Sequence, residues 1–338
     1  MILILSQAED ISTHEVTDWL SHYQADFLRV NAEEYRGVGL EVSLSKGQSG
    51  FLRCHFKYYD TFYDLDKVTA YWYRRGGFPA INKKRSIVEK HFNAYGSVFV
   101  NAFHEQLVTE QRRTYEYLHW HLESHVKRKI GSKFNSNVNK LQVLHLAASV
   151  GLGIPDTFVT SEKARLIDYK GRYGRVITKG IQEGAFFRIG TEDLFFTNYT
   201  EEVEDEILGE LPETIFPSLL QRRIEKKYEL RIFFLLDECY AMAIFSQQDM
   251  QTNTDFRKYN TQKPNRFIPY RLPEDIQDKI RQLMAKLELQ TGSIDMVVTP
   301  ENEYIFLEVN PVGQFGMTSQ PCNYFLEKRI AKYLCHHE

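Results

Sequence analysis

The sequence predicts an α/β protein, in the broader α+β sense, built from more than one domain. Its 338 residues are enough for two or three domains, each with a packed core. The chain opens with a strand–helix–strand pattern, which is typical of a small α/β domain. From Ser218 onward the pattern becomes strand-rich. These three observations predict the fold class.

The first part of the chain contains the α/β opening, a hairpin and two helices. The predicted strands are residues 1–5, 27–30, 41–44, 52–56 and 68–73, and the predicted helices are residues 13–23, 84–95 and 98–125. The strand at residues 68–73 runs into two arginines and two glycines, Arg74 to Gly77. We therefore predict a first domain over residues 1–131.

A polar segment at residues 132–139 separates this domain from the remainder. We predict a central domain over residues 132–218 and a C-terminal domain over residues 219–338. The remaining predicted helices are residues 140–150 and 274–287, and the remaining strands are residues 157–160, 175–179, 183–187, 219–224, 228–236 and 240–246.

Composition narrows the function classes. With 42 basic and 45 acidic residues the net charge is −3, which gives no reason to expect nucleic-acid or membrane binding over the whole surface. The 20 Tyr and 23 Phe residues argue against disorder. The four cysteines form no CxxC pair and indicate free thiols in a reducing compartment. No run of about 18 apolar residues occurs. We expect a cytoplasmic protein.

A hairpin near the C-terminus carries the most informative residues. Its strands are residues 294–299 and 304–309, joined by a polar turn. If the turn is symmetric, Asp295 faces Glu308, and Asn310 shares the face of Glu308. Residues Ile305, Leu307 and Val309 then point into the core. Two carboxylates and an amide oxygen suit a hard cation such as Mg²⁺. A hairpin with one solvent-exposed face is the alternative.

Several basic residues lie where a phosphate could bind. Lys179 ends an apolar strand and Lys140 opens a helix, although both positions also suit ordinary surface lysines. Glu229 and Arg231 share a strand face, which fits either a ligand contact or a cross-strand ion pair. Arg257 lies in a polar loop, where its guanidinium could clamp a phosphate or carboxylate. His121 and His125 have zinc-compatible spacing, but an exposed helix face explains them better.

Taken in order, these pieces resemble the ATP-grasp ligases, most specifically from Lys140 to Gln314. The segment from Tyr71 to Arg75 resembles the signature of the microviridin-type peptide cyclases. Among ATP-grasp ligases the chain most resembles the "grasp-with-spasm" maturases that make graspetides. The resemblance implies an ATP-grasp fold with an N-terminal pre-ATP-grasp α/β domain, a central domain, and a C-terminal ATP-grasp domain with the metal site.

The resemblance also implies a function. It implies an ATP- and Mg²⁺-dependent ligase that macrocyclises a leader-bearing precursor peptide, with a homodimer as an assembly that the family allows. The implied residue roles are phosphate binding by Lys140 and Lys179, adenine binding by the backbone of Gln221, Arg222, Arg223 and Ile224, ribose binding by Glu229, metal binding by Asp295, Glu308 and Asn310, and phosphoryl neutralisation by Arg231 and Arg257.

Two departures from the family pattern concern the nucleotide contacts. The loop after Lys179 has fewer glycines than many family members, and Arg222-Arg223 stand where an acidic–aromatic pair is common. Two alternatives stay open. One is a ligase that adds amino acids to a protein or small carboxylate, and the other is a non-catalytic nucleotide-binding protein.

Overall fold

The computed structural model describes residues 1–34, 39–44, 52–79, 85–182, 185–189, 192–196, 200–245 and 266–336. The helices in this part of the chain are α1 (Ile11–His22), α2 (Arg85–Phe92), α3 (Gly96–His125), α4 (Lys140–Ser149), α5 (Lys163–Tyr173), α6 (Asp205–Glu210), α7 (Glu274–Lys286), α8 (Gly316–Cys322) and α9 (Leu326–Cys335). None of these helices is long and apolar enough to cross a membrane.

The strands follow the predicted order, with additional short ones. They are β1 (Ile2–Ser6), β2 (Phe27–Asn31), β3 (Gly39–Leu44), β4 (Leu52–Tyr58), β5 (Thr61–Asp64), β6 (Ala70–Tyr73), β7 (Arg128–Ile130), β8 (Thr157–Glu162), β9 (Val176–Lys179), β10 (Ala185–Ile189), β11 (Glu192–Phe196), β12 (Glu201–Glu202), β13 (Thr214–Arg222), β14 (Tyr228–Leu235), β15 (Glu238–Phe245), β16 (Arg266–Tyr270), β17 (Thr291–Val298) and β18 (Tyr304–Asn310).

The chain divides into two compact units. The first unit joins Met1–Ser136 to Phe325–Glu338, and the second is Asn137–Tyr324. The return of the C-terminal segment to the first unit has no counterpart in the predicted domains. The predicted division into three domains itself stays a prediction.

The first unit contains a parallel sheet in the order β2-β1-β6-β7. All five residues of β1 are buried, as is typical of a strand covered on both faces. The C-terminal helix α9 packs against α1 and buries Leu326, Ile330 and Leu334. The Lys328 ammonium lies 4.6 Å from the centre of the Trp19 ring. The α/β opening predicted from the sequence is confirmed.

The described part of the second unit contains three antiparallel sheets, in the orders β10-β11, β12-β9-β13-β8 and β16-β15-β14-β17-β18. The core against the five-stranded sheet includes Leu144 of α4 and Ile280 of α7. On β14, Leu230 and Ile232 belong to this core, so the alternating residue Arg231 lies on the opposite face. This alternation places charged side chains on the sheet face away from that core.

Candidate functional site

The hairpin of β17 and β18 has the predicted register at its carboxylates. Asp295 is paired with Glu308, and Ser293 is paired with Asn310. Toward the turn the register changes by one residue, because Met296 pairs with Phe306 and leaves Leu307 as a bulge. The facing of Asp295 and Glu308 is thus confirmed.

The bulge corrects the prediction for the apolar side chains of this hairpin. Phe306 is fully buried and belongs to the core, as Val309 does. Ile305 and Leu307, which were expected in the core, are only half-buried. A symmetric turn cannot reveal the extra residue, since the alternation rule assumes an unbroken strand.

Arg231 on β14 adds a cation to this face. It stands directly opposite Asp295 in the pairing of β14 with β17. Its Nη1 atom donates to both carboxylate oxygens of Asp295, at 2.5 Å from Oδ2. Both side chains keep less than a fifth of their surface exposed. A charge-assisted bond in such a half-buried place is among the stronger polar contacts.

The two predicted lysines converge on Glu308. The Nζ atoms of Lys140 and Lys179 lie 3.4 Å and 3.5 Å from Glu308 Oε2. Lys140 also donates to the carbonyl oxygen of Gly180 at 3.2 Å. Lys140 is held at the start of α4, which begins there because the Asn139 side chain accepts the N–H groups of the first turn. Two lysines 39 positions apart in the sequence therefore meet at one carboxylate.

Burial and the charge of Glu308 shift the pKa of Lys179 in opposite directions. Desolvation lowers the pKa of its ammonium group, while the neighbouring Glu308 carboxylate favours the charged form. The Lys140 ammonium adds to the lowering. A lysine in this state binds an incoming anion readily, because a phosphate oxygen restores the stabilisation that burial removed.

The predicted adenine-facing residues are partly engaged within the fold. Gln221 is buried in β13, and its amide donates to Thr157 Oγ1 at 2.9 Å. The N–H groups of Arg222 and Arg223 donate to the carbonyl oxygens of Asp156 and Arg175. Ile224 follows in half-buried irregular backbone. Their role toward a nucleotide stays a prediction.

Glu229 lies two residues before Arg231 on the same strand and is buried. Its Oε1 atom accepts a bond from Lys226 Nζ at 2.5 Å, so Lys226 joins the site residues that the sequence did not reveal. The sequence does contain a sign of this ion pair, because Lys226 and Glu229 carry opposite charges three positions apart. Arg257 lies outside the described residues.

The donor set fits a hard divalent cation. Asp295 and Glu308 supply carboxylate oxygens, and Asn310 supplies an amide oxygen, which also accepts the Val312 N–H at 3.1 Å. Oxygen ligands of this kind suit Mg²⁺ rather than softer metals. Within the described ranges, no cluster of three or more His, Cys, Asp or Glu residues could hold a metal. The prediction of an exposed helix face for His121 is wrong, because His121 is buried and its Nε2 atom lies 2.7 Å from Asp66 Oδ1.

No protein-family model matches the chain. Among curated proteins, it is 25% identical over 213 residues to the α-aminoadipate–LysW ligase LysX of Sulfolobus acidocaldarius, covering 58% of this chain and 67% of that protein. It is 24% identical to LysX of Sulfurisphaera tokodaii, covering 65% of that protein. The chain therefore spans about two thirds of the length of these relatives.

Solved structures match over the whole length. A RiPP-associated ATP-grasp ligase of Chryseobacterium gregarium, in complex with ADP and a leader and core peptide, is 26% identical with a TM-score of 0.80, covering 100% of this chain and 97% of that chain. The chain is an ATP-grasp ligase. Macrocyclase MdnC of Microcystis aeruginosa, bound to precursor peptide MdnA, is 24% identical with a TM-score of 0.75 and full coverage of both chains.

These comparisons confirm the resemblance to peptide maturases and the fold class of this ATP-grasp ligase. The expectation of ATP and Mg²⁺ agrees with what two of these neighbours bind, since the C. gregarium ligase was solved with ADP and PsnB with Mg and ADP. The ATP-grasp ligase PsnB, solved with a minimal precursor, Mg and ADP, has a TM-score of 0.71 and 15% identity, covering 98% of this chain and 96% of that chain.

Proposed function

We propose that this ATP-grasp ligase macrocyclises a ribosomally made, leader-bearing precursor peptide. A carboxylate side chain of an Asp or Glu in the peptide attacks the γ-phosphoryl group of ATP, which gives an acyl phosphate and ADP. A Thr or Ser hydroxyl, or a Lys amine, of the same peptide then attacks the acyl carbon. Phosphate leaves, the nucleophile loses its proton, and an ester or amide closes the ring.

The observation that carries this proposal is the contact of both lysines with Glu308, beside the Arg231–Asp295 pair. The group has three cations and two carboxylates. The phosphates of a nucleotide are polyanions and would take over as partners of the lysines and Arg231. The carboxylates of Glu308 and Asp295 would then lose these cations, and a divalent cation would compensate their negative charge. The residues thus suit a nucleotide and a metal bound together.

Each residue has a proposed role. Lys140 and Lys179 hold the phosphates as point charges. Arg231 and Arg257 neutralise charge on the transferred phosphoryl group. Asp295, Glu308 and Asn310 would hold Mg²⁺, which supplies electrostatic stabilisation of that charge when bound. Glu229 reaches the ribose, and the backbone of Gln221, Arg222, Arg223 and Ile224 faces adenine.

The similarity to a ligase solved with a leader and core peptide supports a peptide as the partner. We further propose a cytoplasmic enzyme, without nucleic-acid or membrane partners, that forms a homodimer as the family allows. Free thiols fit this compartment, since all four cysteines are unpaired by disulfides.

A second candidate function follows from the LysX relatives. In this alternative the chain would join a free amino acid to a protein carboxylate by the same phosphate chemistry. Mass spectrometry separates the two. The purified chain is incubated with ATP, Mg²⁺ and the short peptide encoded beside its gene, with and without a mixture of amino acids.

Macrocyclisation removes the mass of one water for every bond formed, and it needs no added amino acid. A gain equal to one amino-acid residue would instead establish the second function. An unchanged peptide mass alongside intact ADP binding would indicate a non-catalytic nucleotide-binding protein, and the proposal would then be wrong.

A further inference from the structure

The turn at the end of strand β18 begins at Asn310, one of the proposed metal ligands. Its residues are Asn310-Pro-Val-Gly313, with an asparagine, a proline and a glycine at positions where β-turns favour them. The Gly313 N–H donates to the Asn310 carbonyl oxygen at 3.1 Å. The Val312 N–H donates to Asn310 Oδ1, also at 3.1 Å. The turn thus holds both the backbone oxygen and the side-chain oxygen of Asn310.

A buried serine ties this turn to the neighbouring strand β17. Ser293 is paired with Asn310 in the hairpin and is 2% exposed. Its Oγ atom donates to the carbonyl oxygen of Gln314 at 3.0 Å. Since Ser293 lies two residues before Asp295 on the strand, both side chains are on the same face of the sheet. The turn therefore folds back onto the face that carries the charged groups of the site.

Close packing restricts the position of the turn further. A Cβ atom on Gly313 would lie 2.4 Å from both Cβ and Oγ of Ser293, so the turn backbone rests directly on the serine and glycine is required there. The next apolar residue, Phe315, is 1% exposed, and its ring centre lies 5.2 Å from that of Phe233. Phe233 is the partner of Ser293 on β14. The turn is thus held at its serine contact and at the aromatic pair that follows.

These contacts orient the Asn310 amide. A backbone N–H can donate only to the oxygen of an amide, so the Val312 N–H selects Oδ1 rather than Nδ2 as its partner. An amide oxygen has two lone pairs, so Oδ1 can accept this bond and still ligate a cation. Asn310 is half-buried and shares its face of β18 with Glu308. Groups that hold a ligand in place strengthen metal binding, since a divalent cation needs its oxygen ligands at defined distances.

We propose that Ser293 is a positioning residue of the metal site. Its hydroxyl ties the turn of residues 310–313 to β17, and Asn310 thereby presents Oδ1 to the divalent cation. The ligand role of Asn310 rests on the proposed function. Asn310 is the contacting residue, and Ser293 acts through it.

Calorimetric titration of the full chain with ADP at increasing Mg²⁺ concentrations tests the proposal without any peptide. Ser293→Ala removes the hydroxyl and its hydrogen bond, so we expect the Mg²⁺ concentration needed for half-maximal tightening of ADP binding to rise about fivefold. ADP affinity without Mg²⁺ should equal that of wild type, because the phosphate-binding lysines are unchanged. In the metal-free protein, amide hydrogen exchange of the turn should become faster, since its tie to β17 is lost.

The matched control is Thr299→Ala, at the opposite end of the same hairpin. It removes a hydroxyl that accepts the Glu303 N–H at 3.2 Å, and it should leave the Mg²⁺ requirement unchanged. Chemical unfolding of both variants shows that they are folded and compares their stability. A rise in the Mg²⁺ requirement as large as that of Ser293→Ala would mean that any weakening of the hairpin has this effect, and the proposal would be wrong.

A double-mutant cycle distinguishes positioning of Asn310 from a separate effect of the serine. In an Asn310→Ala background, Ser293→Ala should not raise the Mg²⁺ requirement further, because the ligand that it positions is gone. The same fivefold rise in that background, or a wild-type Mg²⁺ requirement for Ser293→Ala alone, would overturn the proposal. Ring formation with the latter result refutes this inference alone. The expected Mg²⁺ effects without ring formation refute the proposed macrocyclisation alone.

Discussion

Replacing Glu308 with Gln tests the electrostatic account of the ligase site. The carboxylate lies 3.4 Å and 3.5 Å from the two lysine Nζ atoms, so each contact has a Coulomb energy of about 5 kcal/mol at an effective dielectric constant of about 20. Desolvation offsets most of this energy, and all three side chains are partly exposed, so we expect a net loss of about 1–3 kcal/mol. The second unit should unfold a few degrees lower.

The effect on function should be much larger than the effect on stability. Glu308→Gln removes a proposed metal ligand, and we expect turnover to fall at least about a hundredfold. ADP release during peptide modification measures turnover, and calorimetric titration with ADP in the presence and absence of Mg²⁺ measures the metal contribution. Glu303→Gln, in the exposed turn of the same hairpin, is the matched control. A Glu308→Gln protein with wild-type turnover and Mg²⁺ dependence would refute the assignment, and an unchanged unfolding midpoint would refute the ion-pair argument.

Two further predictions concern stability of the first unit. Burial lowers the pKa of His119 to about 3, so only the unfolded chain takes up this proton as the pH falls from about 6.5 to 5, and stability falls with it. His119→Gln should reduce the slope of the unfolding free energy against pH by up to about 1.4 kcal/mol per pH unit. Urea unfolding of wild type and variant across this pH range measures the two slopes. Equal slopes would contradict the argument. Ile330→Ala in α9, where Ile330 is 1% exposed, should cost about 2–4 kcal/mol, while Arg329→Ala at an exposed position should cost little. Equal unfolding midpoints for these two variants would show that α9 does not stabilise the unit.

Local rules predicted the parts of the site that depend on one hairpin or one strand end. The facing of Asp295 and Glu308 follows from strand alternation and a short turn, both of which are encoded within 16 residues. The position of Lys140 follows from an asparagine before an apolar helix. Such features are short-range, and the sequence shows them directly.

The choice of ionic partners could not be predicted in the same way. Arg231 meets Asp295 across 64 positions of the sequence, and the pairing depends on which strands become neighbours. The expectation for Arg231 left a ligand contact and an ion pair equally open. The packing of α9 on α1 is hidden for the same reason, since an amphipathic helix shows that it needs a partner but not which one.

The bulge at Leu307 explains how one short strand serves both the core and the site. Phe306 enters the core and Glu308 joins the lysines on the other face, although residues two apart in a regular strand share a face. The extra residue between them reverses the alternation. Phe306→Ala should therefore cost about 3–5 kcal/mol, whereas Leu307→Ala, at a half-buried position, should cost well below half of that. Chemical unfolding of both variants compares the two costs. A greater loss from Leu307→Ala would indicate a regular register, with Leu307 in the core and Phe306 on the lysine-facing side together with Glu308, and the account of the bulge would then be wrong.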